Sequence, residues 1–169
     1  MNKALSLAVA ATLSCASLNS EAQTMIGKTT DVAAIANGDR MNAETLWAMG
    51  RIGGAAASPD GKTVVYQVGY YSVKQNKSHQ MLYTVSADGK KQHSLTTTAA
   101  SESDATWIDG GKRIAFLTGG QLWTMNADGT DRRQLTKSEI DIEGYIFSPD
   151  EKKVILIKSL PYHESIKKN

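Results

Sequence analysis

A fifteen-residue segment occurs twice, forty residues apart, and that period limits the possible folds more than any other property of the chain. Leu82-Tyr83-Thr84-Val85-Ser86-Ala87-Asp88-Gly89 runs on to Leu95-Thr96. Leu122-Trp123-Thr124-Met125-Asn126-Ala127-Asp128-Gly129 runs on to Leu135-Thr136. Seven of the fifteen positions are identical, too many in one register for an accidental likeness. A second element precedes each copy. Ser58-Pro59-Asp60-Gly61-Lys62 leads into residues 63–66, Ile108-Asp109-Gly110-Gly111-Lys112 into 113–116, and Ser148-Pro149-Asp150-Glu151-Lys152 into 153–156.

Each element has a mechanical reading. Pro sets φ for the second residue of a tight turn, Asp bonds back to the backbone, and Gly accepts positive φ. The β-branched and aromatic run that follows each turn reads as a strand. Ala-Asp-Gly makes a second hairpin in the same way. One unit is therefore four short antiparallel strands, at about 105–108, 113–118, 121–126 and 132–135 in the second unit. Four strands every forty residues predict an all-β fold of β-propeller blades. A sandwich of short strands would not repeat in sequence. Tyr66, Trp107, Phe116 and Trp123 are expected to pack between neighbouring blades.

The propeller is expected over residues 56–158, as two blades and a half blade, with 159–169 as a truncated tail. Closed rings need 4–8 blades, so the reading is of an incomplete ring from a longer protein, one that melts broadly or aggregates when isolated. The first unit carries ten extra residues, around 69–80, between its second and third strands. A long hairpin accounts for them, although paired Tyr70 and Tyr71 would also suit recognition.

Residues 23–55 form a lead-in with a helix at 42–50. Asn42 serves as N-cap, Glu44 stands in the first turn and Gly50 ends the helix. Leu46 and Met49 make an apolar stripe, with Trp47 beside it. The start of the chain reads as a secretory signal peptide over residues 1–22. It has a positive Met1-Asn2-Lys3, an apolar run over 4–16 that is too short to span a bilayer, and Ser20-Glu21-Ala22 before cleavage. Cys15 does not make a lipoprotein site, because Leu13 stands one position away from where that motif needs it. A periplasmic or secreted location follows, and the mature chain has no thiol.

Nineteen basic against seventeen acidic residues leave a net charge of +2, too weak and too scattered for nucleic-acid or membrane-surface binding. One Cys and three His exclude a Cys-rich zinc site and a haem-attachment motif. No cofactor, metal or catalytic residue is assigned. Thr124, Asn126, Asp128 and Gly129 imitate the start of a calcium loop, but its twelfth position is Leu135, which offers no carboxylate. His79, His93 and His163 are expected to be solvated, and no Gly-x-Ser-x-Gly elbow is present for a histidine to serve.

Taken together, Asn42–Gly50, the Ser-Pro-Asp-Gly-Lys turn, the segment 122–136 and Phe147-Ser148-Pro149-Asp150-Glu151-Lys152 resemble the propeller of prolyl-oligopeptidase-family serine peptidases of the dipeptidyl peptidase type. The resemblance covers about 42–158. It implies a propeller that gates short peptides toward a C-terminal α/β-hydrolase domain carrying a Ser-Asp-His triad, none of which maps onto this chain. Tol-type periplasmic propellers share the turn motif, which leaves a non-enzymatic, protein-binding propeller as the alternative.

Overall fold

The computed structural model describes residues 41–73 and 75–160. The expected signal peptide, most of the lead-in, Cys15 and His163 lie outside the described residues.

A short helix, α1 (Ala43–Ala48), precedes ten strands. The first sheet contains β1 (Arg51–Ala57), β2 (Thr63–Ser72), β3 (Lys77–Ser86) and β4 (Gln92–Ser94), paired in that order. The second contains β5 (Glu102–Ile108), β6 (Arg113–Thr118), β7 (Gln121–Asn126) and β8 (Arg133–Gln134). The third pairs β9 (Gly144–Phe147) with β10 (Val154–Ile157). Every pairing is antiparallel. These are the all-β propeller blades that the forty-residue period predicts. The two central strands of the second blade begin and end where the repeat places them. Strand β5 begins three residues earlier than the expected 105, because a bulge between Ser103 and Thr106 lets the strand continue through Asp104.

The turns form as their chemistry requires. In the first, the Ser58 hydroxyl donates to Asp60 Oδ1 at 2.6 Å and accepts from the Thr63 N–H at 3.0 Å, while the Lys62 N–H donates to Asp60 at 3.1 Å. Gly61 sits there at φ 69°. The third blade repeats these bonds through Ser148, Asp150 and Lys153, but Glu151 holds the left-handed position at φ 55°. A non-glycine residue there is strained. Glu151 has a compensating contact, since its Oε2 accepts the Asp109 N–H of the second blade at 2.7 Å.

Blades stack face to face, and the second sheet uses both faces. Val65, Leu82 and Leu95 of the first blade pack on Ile114, Phe116 and Met125 of the second, with Trp107 and Trp123 at the margin. On its other face the second blade packs Ala115, Leu117 and Leu122 against Ile142 and Tyr145 of the third. Phe116 is fully buried in the first of these seams, as expected. Tyr66 is not in it. Alternation along β2 sends Val65 into the seam, so Tyr66 points the other way and stacks on Tyr83 with ring centroids 5.6 Å apart.

The lead-in helix also differs in detail. Asn42 caps it, accepting the Thr45 N–H at 2.7 Å. The buried residue is Thr45, whereas Leu46 of the expected stripe and Trp47 beside it are exposed. The helix ends at Ala48, ahead of Gly50, which lies so close over β2 that a Cβ would stand 2.8 Å from Val68.

The outward face of the third sheet is bare: Ile146, Ile155 and Ile157 share it, and Ile155 is 65% exposed. Purified alone, the 169-residue chain is therefore expected to self-associate and to melt over a broad range. Ile146→Lys with Ile155→Glu, an opposite-charge pair across the two strands, should return it to a monomer in analytical ultracentrifugation without lowering its stability. Asp60, Asp88, Asp128 and Asp150 all have carboxyls held below their ordinary value of 3.8, chiefly by a neighbouring Ser or Thr hydroxyl. The unfolded chain then takes up protons before the folded one does. The stabilisation these groups give is full above pH 3.8 and is lost as pH falls through their depressed values. Thermal melts of the monomeric variant should show this acid limb, and Asp60→Asn with Asp128→Asn should flatten it.

Candidate functional site

The chemistry-bearing residues gather along the seam between the first two blades. Its centre is a polar network walled in by the apolar core. Glu102, at the start of β5, is 1% exposed. Its Oε2 accepts the Thr96 hydroxyl at 2.8 Å, and its Oε1 is paired with Arg132. Thr96 Oγ1 in turn accepts the Leu82 N–H at 2.7 Å. Arg132 lies over the Phe116 ring, 4.8 Å from its centroid, and also donates to the Leu95 carbonyl at 3.3 Å. Burial pushes the Glu102 carboxyl up, against the opposing pull of the Thr96 hydroxyl and of Arg132. Nothing in the repeat marks Glu102. It precedes the expected strand, and its cationic partner lies thirty residues later.

This network explains the recurrent Leu-Thr. In both blades the Thr hydroxyl accepts the N–H of the first Leu, Thr96 for Leu82 and Thr136 for Leu122, the latter at 2.9 Å. Both second leucines donate their N–H to the first Leu carbonyl at 2.8 Å. Their surroundings differ: Leu95 is 1% exposed beneath the second blade, and Leu135, its counterpart, is 48% exposed.

Two clefts open from the seam at opposite ends of the strands. One, of about 440 Å³, is lined by Glu102, Gln121, Trp123, Arg132 and Gln134 among others. The other, of about 620 Å³, lies among the tight turns and brings Ser58, Asp60, His93, Ser94, Lys112 and Asp128 together. Ser, His and Asp in one cleft invite comparison with a nucleophile and its base, but their bonds are spent otherwise. The Ser58 hydroxyl donates to Asp60 within its own turn. Asp128 accepts both the N–H and the hydroxyl of Thr130, at 2.9 and 2.6 Å, which is the work of a turn residue. Among the described residues no hydrogen bond joins His93 to a serine, and no three His, Cys, Asp or Glu side chains are grouped to hold a metal.

His93 stands on β4, exposed, as expected. His79 does not. The ten extra residues form the long hairpin expected of them: β2 and β3 run on, paired residue for residue from Thr63↔Ser86 to Ser72↔Lys77. Tyr70 is thereby placed opposite His79, and His79 is 2% exposed. Burial lowers its pKa below the ordinary 6.5.

No family model matches the chain. Solved structures nonetheless share its fold. The acylaminoacyl peptidase of Pyrococcus horikoshii superposes with a TM-score of 0.54 over 66% of this chain and 18% of its own, at 14% identity. An acylaminoacyl peptidase bound to Z-Gly-Gly-Phe-chloromethyl ketone gives 0.56 over 68% of this chain and 18% of its own, at 13% identity. At those identities the likeness is one of fold alone.

The sequence comparison is more specific. Dipeptidyl-peptidase 5 of Porphyromonas endodontalis is 41% identical over 119 residues, covering 68% of this chain and 17% of that protein. Dipeptidyl-peptidase 5 of Porphyromonas gingivalis is 40% identical over 134 residues, covering 77% of this chain and 20% of that protein. The resemblance to this peptidase family that the turns and repeats carry is therefore borne out. The chain spans about a fifth of the length of the curated relatives it matches.

The buried pair yields a direct test. Arg132→Ala leaves the Glu102 carboxylate buried without its cation, and should cost about 3–5 kcal/mol in urea denaturation of the monomeric variant. Glu102→Leu with Arg132→Met should recover most of that loss, because two apolar side chains fit the surrounding core.

Proposed function

We propose that this chain is the N-terminal, substrate-gating propeller portion of an exported serine dipeptidyl peptidase. The carrying observation is 40–41% identity to two dipeptidyl-peptidase 5 sequences over most of this chain and only a fifth of theirs. In this reading the blades perform no chemistry. They form part of a ring whose central passage admits short, unfolded peptides and excludes folded proteins, while a C-terminal α/β-hydrolase domain with a Ser-Asp-His triad cleaves near the peptide N-terminus.

The bare third face supports a role as part of a larger ring. A sheet with Ile146, Ile155 and Ile157 on one side needs another blade, because a contiguous apolar patch in water is a docking surface. Engagement of Ser58 and Asp60 within their turn supports assigning the nucleophile to another domain. Export rests on the signal-peptide pattern of residues 1–22, and places the enzyme in the periplasm or outside the cell. The partners are short peptides and the hydrolase domain. The shared turn motif keeps a second reading in view, a Tol-type propeller that binds a protein and cleaves nothing.

The reading frame beyond Asn169 separates the two. A downstream Gly-x-Ser-x-Gly followed by Asp and His is expected, and the full-length protein should release dipeptides from dipeptidyl-nitroanilide substrates. Replacing the elbow serine by Ala should abolish that release, and the 169-residue chain alone should show none. A frame that closes after further blades with no such elbow refutes the peptidase and leaves the binding propeller.

A further inference from the structure

The extended hairpin of the first blade holds a buried base that the gating role does not use. His79 lies in the prolonged part of β3, opposite Tyr70 of β2, and is 2% exposed. Among the described residues its Nε2 is a buried polar atom with no hydrogen-bond partner. A buried polar group left unpaired is uncommon, and it weakens the structure that encloses it. Strand alternation puts Lys77, Met81 and Tyr83 on the same face of β3, with Val68 and Tyr70 beside them on β2. Met81 is fully buried there. Such a setting accepts a neutral imidazole and rejects an imidazolium.

The ring stands where the first blade leads into the second. After β4 the chain runs back along the edge of β3 as a crossover, residues 95–101, before β5 begins. Hydrogen bonds fasten it there. The Leu95 N–H donates to the Leu82 carbonyl at 2.8 Å, the Leu82 N–H to Thr96 Oγ1 at 2.7 Å, and the Gln80 N–H to Ser101 Oγ at 3.1 Å. Burial holds the His79 pKa below the ordinary 6.5, against an opposing hydrogen bond with the Ala99 backbone of the crossover.

No described group stands ready to neutralise a charged ring. The crossover has no titratable side chain. The Tyr70 hydroxyl is paired with that of Tyr83 at 3.1 Å, and Lys77 brings a like charge to the same face. On β5, Glu102 is engaged by Thr96 and Arg132, and Asp104 follows it in the bulge, with its N–H held by Gln67. On α1, which packs on β2, the acid is the exposed Glu44, and Arg51 of β1 lies over the rings of Trp47 and Tyr71.

We propose that His79 is an acid-sensitive latch: at neutral pH its uncharged ring seals the crossover against the extended hairpin, and protonation drives the ring into water and frees the crossover. The open form takes up a proton more readily than the closed one. Closure is therefore complete above pH 6.5 and weakens as pH falls through that value. The effect reaches the seam between the blades, because Thr96 of the crossover holds Glu102. The latch does not depend on the peptidase reading.

The test is hydrogen exchange of the full-length protein that carries this chain, read by mass spectrometry. The Gln80 and Leu82 amides report the latch. The Leu122 amide, held by Thr136 in the same way in the second blade, is the control. Protection at Gln80 and Leu82, corrected for the intrinsic pH dependence of exchange, should fall about tenfold or more between about pH 7.5 and about pH 5, with little change at Leu122. His79→Phe and His79→Gln cannot take up the proton and should keep that protection level. Should neither variant fold, exchange at the ring C2 in the unaltered protein decides, with a midpoint for His79 below 6.5 expected. Constant protection at Gln80 and Leu82, an equal loss at Leu122, a loss that survives in a folded variant, or a midpoint at 6.5 or above each overturns the latch.

Discussion

The packing of Val65 and Leu82 against Ile114, Phe116 and Met125 is the contact on which the rest of the structure rests. A single four-stranded sheet has two faces and no interior, and it buries apolar surface only by lying against another sheet. This seam is also where polar groups are enclosed. Glu102, Thr96 and Arg132 satisfy one another among apolar neighbours, so the relative placement of the blades is specified by direction as well as by area. The inner strands add a second link of this kind. Gln67 lies over Gly53, where a Cβ would stand 2.5 Å from its amide nitrogen, and its Oε1 accepts the Asp104 N–H across the seam at 3.1 Å. Tyr145 continues the chain of contacts, donating to the Ala115 carbonyl at 2.8 Å from the third sheet.

What was legible in the sequence was local. Ser58-Pro59-Asp60-Gly61 and Ala87-Asp88-Gly89 form turns through bonds between residues two to five apart, so their chemistry is visible in any short window. The strands between them follow from the turns. The direction of a side chain is a different matter. Tyr66 and Val65 are both good strand residues, and only the presence of a blade on one side decides which is covered. His79 is buried and not solvated because extra length in a hairpin can be loop or strand, and here Tyr70 pairs with it across the sheet. Glu102 and Arg132 were out of reach for the same reason: their relation exists only after two blades have met.

The fold and the sequence comparison bear on different questions. Superposition on acylaminoacyl peptidases establishes how the blades are built, at identities too low to carry chemistry across. Identity of 40–41% to dipeptidyl-peptidase 5 links the chain to one kind of enzyme. Within the described residues the side chains of the seam are arranged for holding and orienting. Their hydroxyls and carboxylates are committed to turns and to each other.

The dependence of one blade on the next has a consequence in time. Leu95 is covered by the second blade, and the arginine that reaches its carbonyl comes 37 residues later. A ribosome adding about 5–20 residues per second delivers that arginine roughly 2–7 s after the leucine. Throughout that interval the first sheet has emerged with its inner face uncovered, and for its last thirty residues Glu102 is present without its counter-ion. A nascent chain of this design is therefore most vulnerable in the pause between consecutive blades, which is the point at which a holding factor would have most to protect.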